Sequence, residues 1–251
     1  MAIASFRNVL LPEPTILPAA APTAGQMWYN RRSMNDADRP SPLPLPTIRR
    51  YPAYLRLIRE RMAAGEEEIS SAALAAALGI DPVLARKDIA MMGIPGRPRW
   101  GYPARELVAA MQHALGWDNA TDAALIGCGS LGHALVGYGG FAEQHLSIVV
   151  AFDANPELQG QTVHGVKVRP MTEIGRLVRR LRIRLGILTV PDAAAQECAE
   201  ALVAAGVKGI WNFTSVQLSV PDDVIVQNVD LAQSLAVLSH AIANRERSHR
   251  S

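Results

Sequence analysis

The chain has 251 residues, 49% of them hydrophobic and 19% charged, with a formal net charge of +2. That length suffices for two modest domains with real cores, and the apolar fraction excludes a disordered or fibrous protein. No apolar run approaches the roughly 18 residues of a membrane span, and the two cysteines make neither a disulfide framework nor a metal site.

Residues 1–45 are rich in proline and alanine, and no period of 3.6 or 2 survives the prolines. This stretch is predicted to be a disordered, Pro-rich leader. It lacks a signal-peptide layout, which predicts a cytoplasmic protein.

Residues 46–117 read as a small helical domain. A helix over 47–63 starts at Thr47 as N-cap, carries Tyr51, Leu55, Ile58 and Met62 on one stripe, tolerates Pro52 in its first turn or so, and stops at Gly65. Ser70 or Ser71 caps a short Ala-rich helix that Gly79 ends. Asp81 caps a third helix with Pro82 at its first position; Val83, Leu84, Ile89 and Met92 form its apolar side. Two short helices around a glycine make a helix-turn-helix, and Arg86-Lys87 stand where a recognition helix meets phosphates and base edges. Residues 93–102 follow as a Gly/Pro-rich loop with Arg97, Arg99, Trp100 and Tyr102, the composition of a wing. Between Arg49 and Arg105 ten basic residues face six acidic ones, a local surplus of four. A helical accessory domain with a surface loop satisfies the same pattern. An amphipathic helix over 105–115 (Leu107, Val108, Met111, Leu115) leads to a domain boundary near residue 118.

Residues 118–230 alternate strands and helices, which predicts an α/β, doubly wound parallel sheet. An apolar run (Ala123, Ala124, Leu125, Ile126) enters the fingerprint Gly127-Cys128-Gly129-Ser130-Leu131-Gly132. A helical pattern through Leu131, Leu135 and Tyr138 follows, then a second apolar run to Asp153, 21 residues beyond Gly132. That spacing fits a dinucleotide unit. Gly127 permits the turn, Gly129 admits a pyrophosphate, and Gly132 lets helix pack on strand. Asp153 accepts hydrogen bonds from ribose hydroxyls and disfavours a 2′-phosphate, which predicts NADH and NAD in place of the phosphorylated cofactors. Cys128 reads as a small residue filling the turn. Further strands are expected over 163–168, 185–190, 207–213 and 224–229, with helices over 172–180 and 193–205. Their carboxyl ends gather Thr189, Val190, Pro191, Asn212, Phe213, Thr214 and Asp230 around the same crevice. Residues 231–244 form an apolar-faced helix outside the sheet, and a basic tail runs over 245–251.

Hydride transfer needs an acid/base residue beside the nicotinamide. No histidine stands at a strand end; His113, His133, His145, His164 and His240 fall on helices or loops. A cofactor site without catalytic residues points to nucleotide sensing. A small NAD-dependent oxidoreductase with a helical accessory domain is the alternative.

The chain resembles the Rex family of NADH-sensing transcriptional repressors from about Pro46 to about Asn244. The residues that carry the resemblance are TIRRYPAYLR, ISSAALAAALGI with RKDIA, GCGSLGHAL with YGGF, FDANPELQG, GILTVPDAAAQ, KGIWNF and VPDDVIVQNVDL. The resemblance implies a homodimer on palindromic operator DNA, with winged helices outside, Rossmann domains at the centre and the C-terminal helices swapped between subunits. NADH is expected to release the DNA. DNA contacts fall to Arg50, Arg86, Lys87, Arg97, Arg99, Gly101 and Tyr102. Arg56, Tyr138 and Asp230 match a switch network, with Asp230 pairing with Arg56 in one state and Tyr138 in the other. Three departures stand out. The family's R-G-x-G-Y wing is Pro98-Arg99-Trp100-Gly101-Tyr102; its N-F-A-P is Asn212-Phe213-Thr214-Ser215; and Asp192 replaces a small apolar residue. A carboxylate at 192 is expected to alter NADH/NAD⁺ discrimination. A family member that binds DNA without answering to NADH is the third reading.

Overall fold

The structure, a computed structural model, describes residues 43–118 and 120–248. The leader up to residue 42 and the end of the basic tail lie outside the described residues. The chain divides into two compact units, Met1–Leu115 and Gly116–Ser251.

In the first unit, helix α1 (Leu45–Ala63) buries Tyr51, Tyr54, Leu55 and Ile58. Each such side chain contributes roughly 1.5–3 kcal/mol on burial. Strand β1 (Glu68–Ile69) precedes helix α2 (Ser71–Leu78), whose N-cap Ser70 accepts from the Ala73 N–H and whose end is Gly79 in the left-handed region. Helix α3 (Pro82–Ala90) begins at Asp81, whose carboxylate accepts from the N–H groups of Val83 and Leu84. Strand β2 (Tyr102–Pro103) pairs antiparallel with β1, and helix α4 (Ala104–Ala114) closes the unit over Leu107 and Met111.

Three expectations change here. Thr47 is not an N-cap: α1 starts earlier, after Pro44, because Pro46 is tolerated in a first turn. Pro52 falls inside the helix, beyond that first turn, and the buried tyrosines around it hold the helix through it. Val83 (56% exposed) and Leu84 (36%) do not face the core. Capping at Asp81 sets the phase of α3 so that Ala85, Asp88 and Ile89 point inward.

The second unit is built on a seven-stranded sheet of order β5-β6-β4-β3-β7-β8-β9. Its strands are β3 (Thr121–Ile126), β4 (Leu146–Asp153), β5 (Thr162–Val163), β6 (Val166–Pro170), β7 (Leu185–Leu188), β8 (Gly209–Asn212) and β9 (Ile225–Asn228). Every neighbouring pair is parallel except β5 with β6. The helices are α5 (Ser130–Val136), α6 (Gly140–Glu143), α7 (Ile174–Leu181), α8 (Asp192–Ala204) and α9 (Leu231–Ser248). Central β3 is buried on both faces. Ala124 and Ile126 pack with Val150, Phe152 and Leu188 on one side, and Ala123 and Leu125 with Ala151, Val168 and Ile187 on the other.

Residues 163–168 are a tight hairpin, not one strand. His164 (φ 45°) and Gly165 (φ 86°) both take positive φ, as a two-residue turn between strands requires. The helix after the glycine turn stops at Val136, so Tyr138 sits in the loop before α6. The C-terminal helix extends to Ser248, into the expected tail. No described helix is long and apolar enough to cross a membrane.

Candidate functional site

Sheet register places the cofactor residues in one row. Phe152, Ile126, Leu188, Asn212 and Asn228 are successive partners across β4, β3, β7, β8 and β9. Gly127, Asp153, Thr189 and Phe213 each follow the row by one residue, and Asp230 by two, so they share the carboxyl edge where such sheets bind ligands.

The three glycines differ in what they avoid. Gly127 has φ 94°, and a Cβ there would lie 2.7 Å from the Thr189 carbonyl oxygen. At Gly132 a Cβ would lie 1.9 Å from the Gly127 oxygen. Both are fixed by the protein's own packing. A Cβ on Gly129 would meet nothing within 4 Å. The glycine at 129 is therefore not demanded by internal contacts, and the space beside it fits a diphosphate approaching the backbone of Ser130 and Leu131.

Asp153 braces this turn. Its Oδ2 accepts from the Cys128 N–H at 2.6 Å and its Oδ1 from the Asn155 N–H at 2.7 Å. An ionised carboxylate offers about four lone-pair sites, which leaves acceptors for ribose hydroxyls. Burial, aided by the Asp153 charge, pushes the Cys128 thiol up to about 11, so it stays protonated and unreactive at neutral pH.

The neighbouring polar residues serve the scaffold. The Thr189 hydroxyl donates to Gly127 O at 2.7 Å and lies 3.0 Å from Ile126 O, which ties β7 to the glycine turn. Asn212 is fully buried. Its amide donates to Val216 O and Asn228 Oδ1, and its carbonyl accepts from the Thr214 N–H and hydroxyl. Asp192 accepts from both the N–H and the hydroxyl of Ser215. These hydrogen bonds hold its exposed carboxyl below the usual carboxylate range. Two of the departures noted in sequence are thus one clasp joining the ends of β7 and β8.

Tyr138 is 56% exposed, and its ring meets Phe141 edge-on. Phe141 continues to Trp211 and Trp211 to Phe213, with centroids 5.7 and 4.9 Å apart. This aromatic row connects the α5–α6 loop to the end of β8; in the sequence only its ends, Tyr138 and Phe213, stand as site residues, although Phe141 and Trp211 lie within the quoted YGGF and KGIWNF stretches. Asp230 accepts from the N–H groups of Ala232 and Gln233, capping α9. Arg56 stands exposed on α1. Among the described residues, no three metal-ligating side chains gather.

In the first unit, Arg86 and Lys87 are exposed on α3, one turn from exposed Val83. Arg50 binds Asp88 through two nitrogens, Nε to Oδ2 at 2.6 Å and Nη2 to Oδ1 at 2.8 Å. The hydroxyls of Tyr54 and Thr47 also donate to this carboxylate, and that of Tyr51 donates to the Asp88 carbonyl. Burial alone would raise the Asp88 pKa, but hydrogen bonds from Arg50, Tyr54 and Thr47 together lower it. Burial also pushes the Tyr51 hydroxyl up to about 12. Five side chains of α1 and α3 thus fix the pose of the exposed basic face. Arg97 pairs with Glu68 at 2.6 Å, Arg99 is exposed, Gly101 has φ 110°, and the Tyr102 ring covers Gly96.

Residues 42–90 match the family described as putative DNA-binding protein N-terminus, and residues 118–216 the CoA binding domain. A redox-sensing transcriptional repressor Rex of Treponema denticola is 44% identical over 77% of this chain and 92% of its own length. A Rex of Porphyromonas gingivalis is 40% identical over 78% and 90%. Among solved structures, RSP in complex with β-NAD⁺ and operator DNA superposes with TM-score 0.76 at 34% identity, over 84% of this chain and 97% of that one. RSP in complex with β-NADH gives 0.73 at 33%, over 84% and 99%.

Proposed function

The chain belongs to the Rex family of redox-sensing transcriptional repressors, and we propose that it represses by holding operator DNA until NADH occupies its second unit. One observation supports this most directly: the open space at Gly129 lies beside Cys128, whose N–H donates to Asp153 at 2.6 Å, at the carboxyl edge of the sheet. The fold and the glycine cradle fit a dinucleotide, and Gly127, Cys128, Gly129, Ser130, Leu131, Gly132 and Asp153 are the residues that hold its phosphates and ribose. Thr189, Val190, Pro191, Asn212, Phe213 and Tyr138 border the nicotinamide end. Reduction removes the positive charge of the nicotinamide ring, and that change is what a sensor has to read.

On the DNA side, Arg86 and Lys87 on α3 supply the major-groove contacts, with the wing at Arg97, Arg99, Gly101 and Tyr102 beside them. Arg50 positions α3 through Asp88 and meets phosphate only secondarily, since two of its nitrogens are engaged. A homodimer on a palindromic site is supported by α9, which leaves Leu235, Leu238 and Ile242 exposed on one stripe. Arg56, Tyr138 and Asp230 form the coupling set between the two ligands.

Calorimetric titration tests the cofactor half. NADH binds the wild-type chain, and Asp153→Ala weakens it by about 1–3 kcal/mol through ribose hydroxyls left unpaired. Equal NADH affinity in both proteins contradicts the assignment.

A further inference from the structure

Arg99 and Trp100 form the wing tip and are absorbed neither by the packing of the first unit nor by the recognition helix. The loop is closed tightly. Arg97 N–H donates to Gly101 O at 2.6 Å, and the N–H groups of Trp100 and Gly101 return to Arg97 O at 3.1 and 3.0 Å. Pro98 at the second position and positive φ at the third (Arg99, 72°) are the signature of a type II turn. Glycine is the usual occupant of that third position. An arginine held there is strained, and such strain collects where a side chain must be presented.

The root of the wing is rigid. A Cβ on Gly101 would lie 2.4 Å from the Ile69 carbonyl oxygen, so β1 and β2 meet with no room to spare. Arg97 pairs with Glu68 at 2.6 Å and staples the wing to β1. Arg99, in contrast, has no ion-pair partner among the described residues. Next to it Trp100 is 71% exposed, where a side chain of its size normally buries most of its surface. A fixed root, a free guanidinium and an adjacent unburied indole are the parts of a probe that enters a narrow groove. Arginine meets the enhanced negative potential of an A/T-rich minor groove, and an apolar wedge unstacks a flexible base step.

Resting on the DNA-binding reading above, we propose that the wing tip selects DNA on its own account. Arg99 anchors in the minor groove, and Trp100 wedges at a deformable pyrimidine–purine step flanking the half-site read by α3. Trp100 is then a specificity-determining residue, and the tip reads DNA shape and not base edges.

The test is selection from duplexes randomised at the half-site and its flanks, with the full chain as wild type, Trp100→Ala, Trp100→Phe and Arg99→Gly. Trp100 is exposed, so its loss leaves folding intact, which the thermal melt checks. All four proteins enrich the same half-site. Wild type and Trp100→Phe also enrich a pyrimidine–purine step in an A/T flank; Trp100→Ala does not, and binds the wild-type sequence roughly tenfold more weakly, the scale of one lost base-step discrimination. Arg99→Gly lowers the slope of log affinity against log salt by about 1. An identical flank preference in wild type and Trp100→Ala overturns the wedge. A wild-type chain that enriches no half-site at all contradicts the DNA-binding reading itself, and the wedge with it.

Discussion

The Asp192–Ser215 clasp shows how a single departure from a family pattern acquires meaning only beside another. A carboxylate at the mouth of the proposed nicotinamide site would favour the positively charged, oxidised ring over the neutral, reduced one. Ser215 donates to it twice and keeps it ionised. Asp192→Asn is therefore expected to weaken NAD⁺ a few-fold while leaving NADH nearly unchanged, so that the protein responds at a lower NADH/NAD⁺ ratio. Titrating the variant with each nucleotide separates the two; parallel losses for NADH and NAD⁺ count against a charge effect. In sequence, both residues were visible as departures, but their pairing was not, because 23 positions separate them. The glycines were legible for the opposite reason. Their roles follow from turn geometry within a few residues, and the open side at Gly129 is the only part that needed coordinates.

At the scale of elements, helix starts and stops set by local chemistry were readable: Ser70, Gly79, Asp81 and Pro82 all act within one turn of themselves. What was not readable was the clamp on α3. Thr47, Arg50, Tyr51 and Tyr54 converge on a residue about 40 positions away, and in the sequence Asp88 is only one of the six acidic residues of that segment. Its buried carboxylate has a folded pKa below the ordinary value, so the clamp stabilises fully above the unfolded pKa near 4 and loses that contribution as pH falls through the lower, folded value. Asp88→Asn should cost about 1.5–3 kcal/mol at neutral pH, the worth of a hydrogen bond to a charged group. It should also flatten the acid limb of the stability profile. Urea melts of both proteins between pH 7 and pH 3 check this, and an acid limb that persists in Asp88→Asn would place its origin elsewhere. The apolar side assigned to Val83 and Leu84 failed because a nine-residue helix has too few turns for its stripe to be phased by composition alone. Their exposure beside Arg86 and Lys87 suits a reading face that also meets thymine methyl groups.

For the whole molecule, Leu235, Leu238 and Ile242 leave an apolar stripe of α9 exposed among the described residues, and a second copy of the chain is the partner proposed for it. Leu235→Glu with Leu238→Glu is expected to convert a dimer into a monomer in sedimentation. The variant should retain NADH binding but lose operator affinity, because one half-site no longer assists the other. In the sequence, a homodimer is implied only by the family resemblance. An apolar helix outside the sheet signals a partner but not its identity. The two-part organisation, by contrast, was legible from composition: a basic, helical segment followed by alternating strands and helices. Occupancy of the glycine cradle by NADH is proposed to control DNA binding by the other unit. Fluorescence anisotropy of a labelled palindromic operator at fixed salt tests it most directly: NADH added to the complex should release the DNA while the same concentration of NAD⁺ leaves it bound, and an operator complex indifferent to saturating NADH would contradict the account.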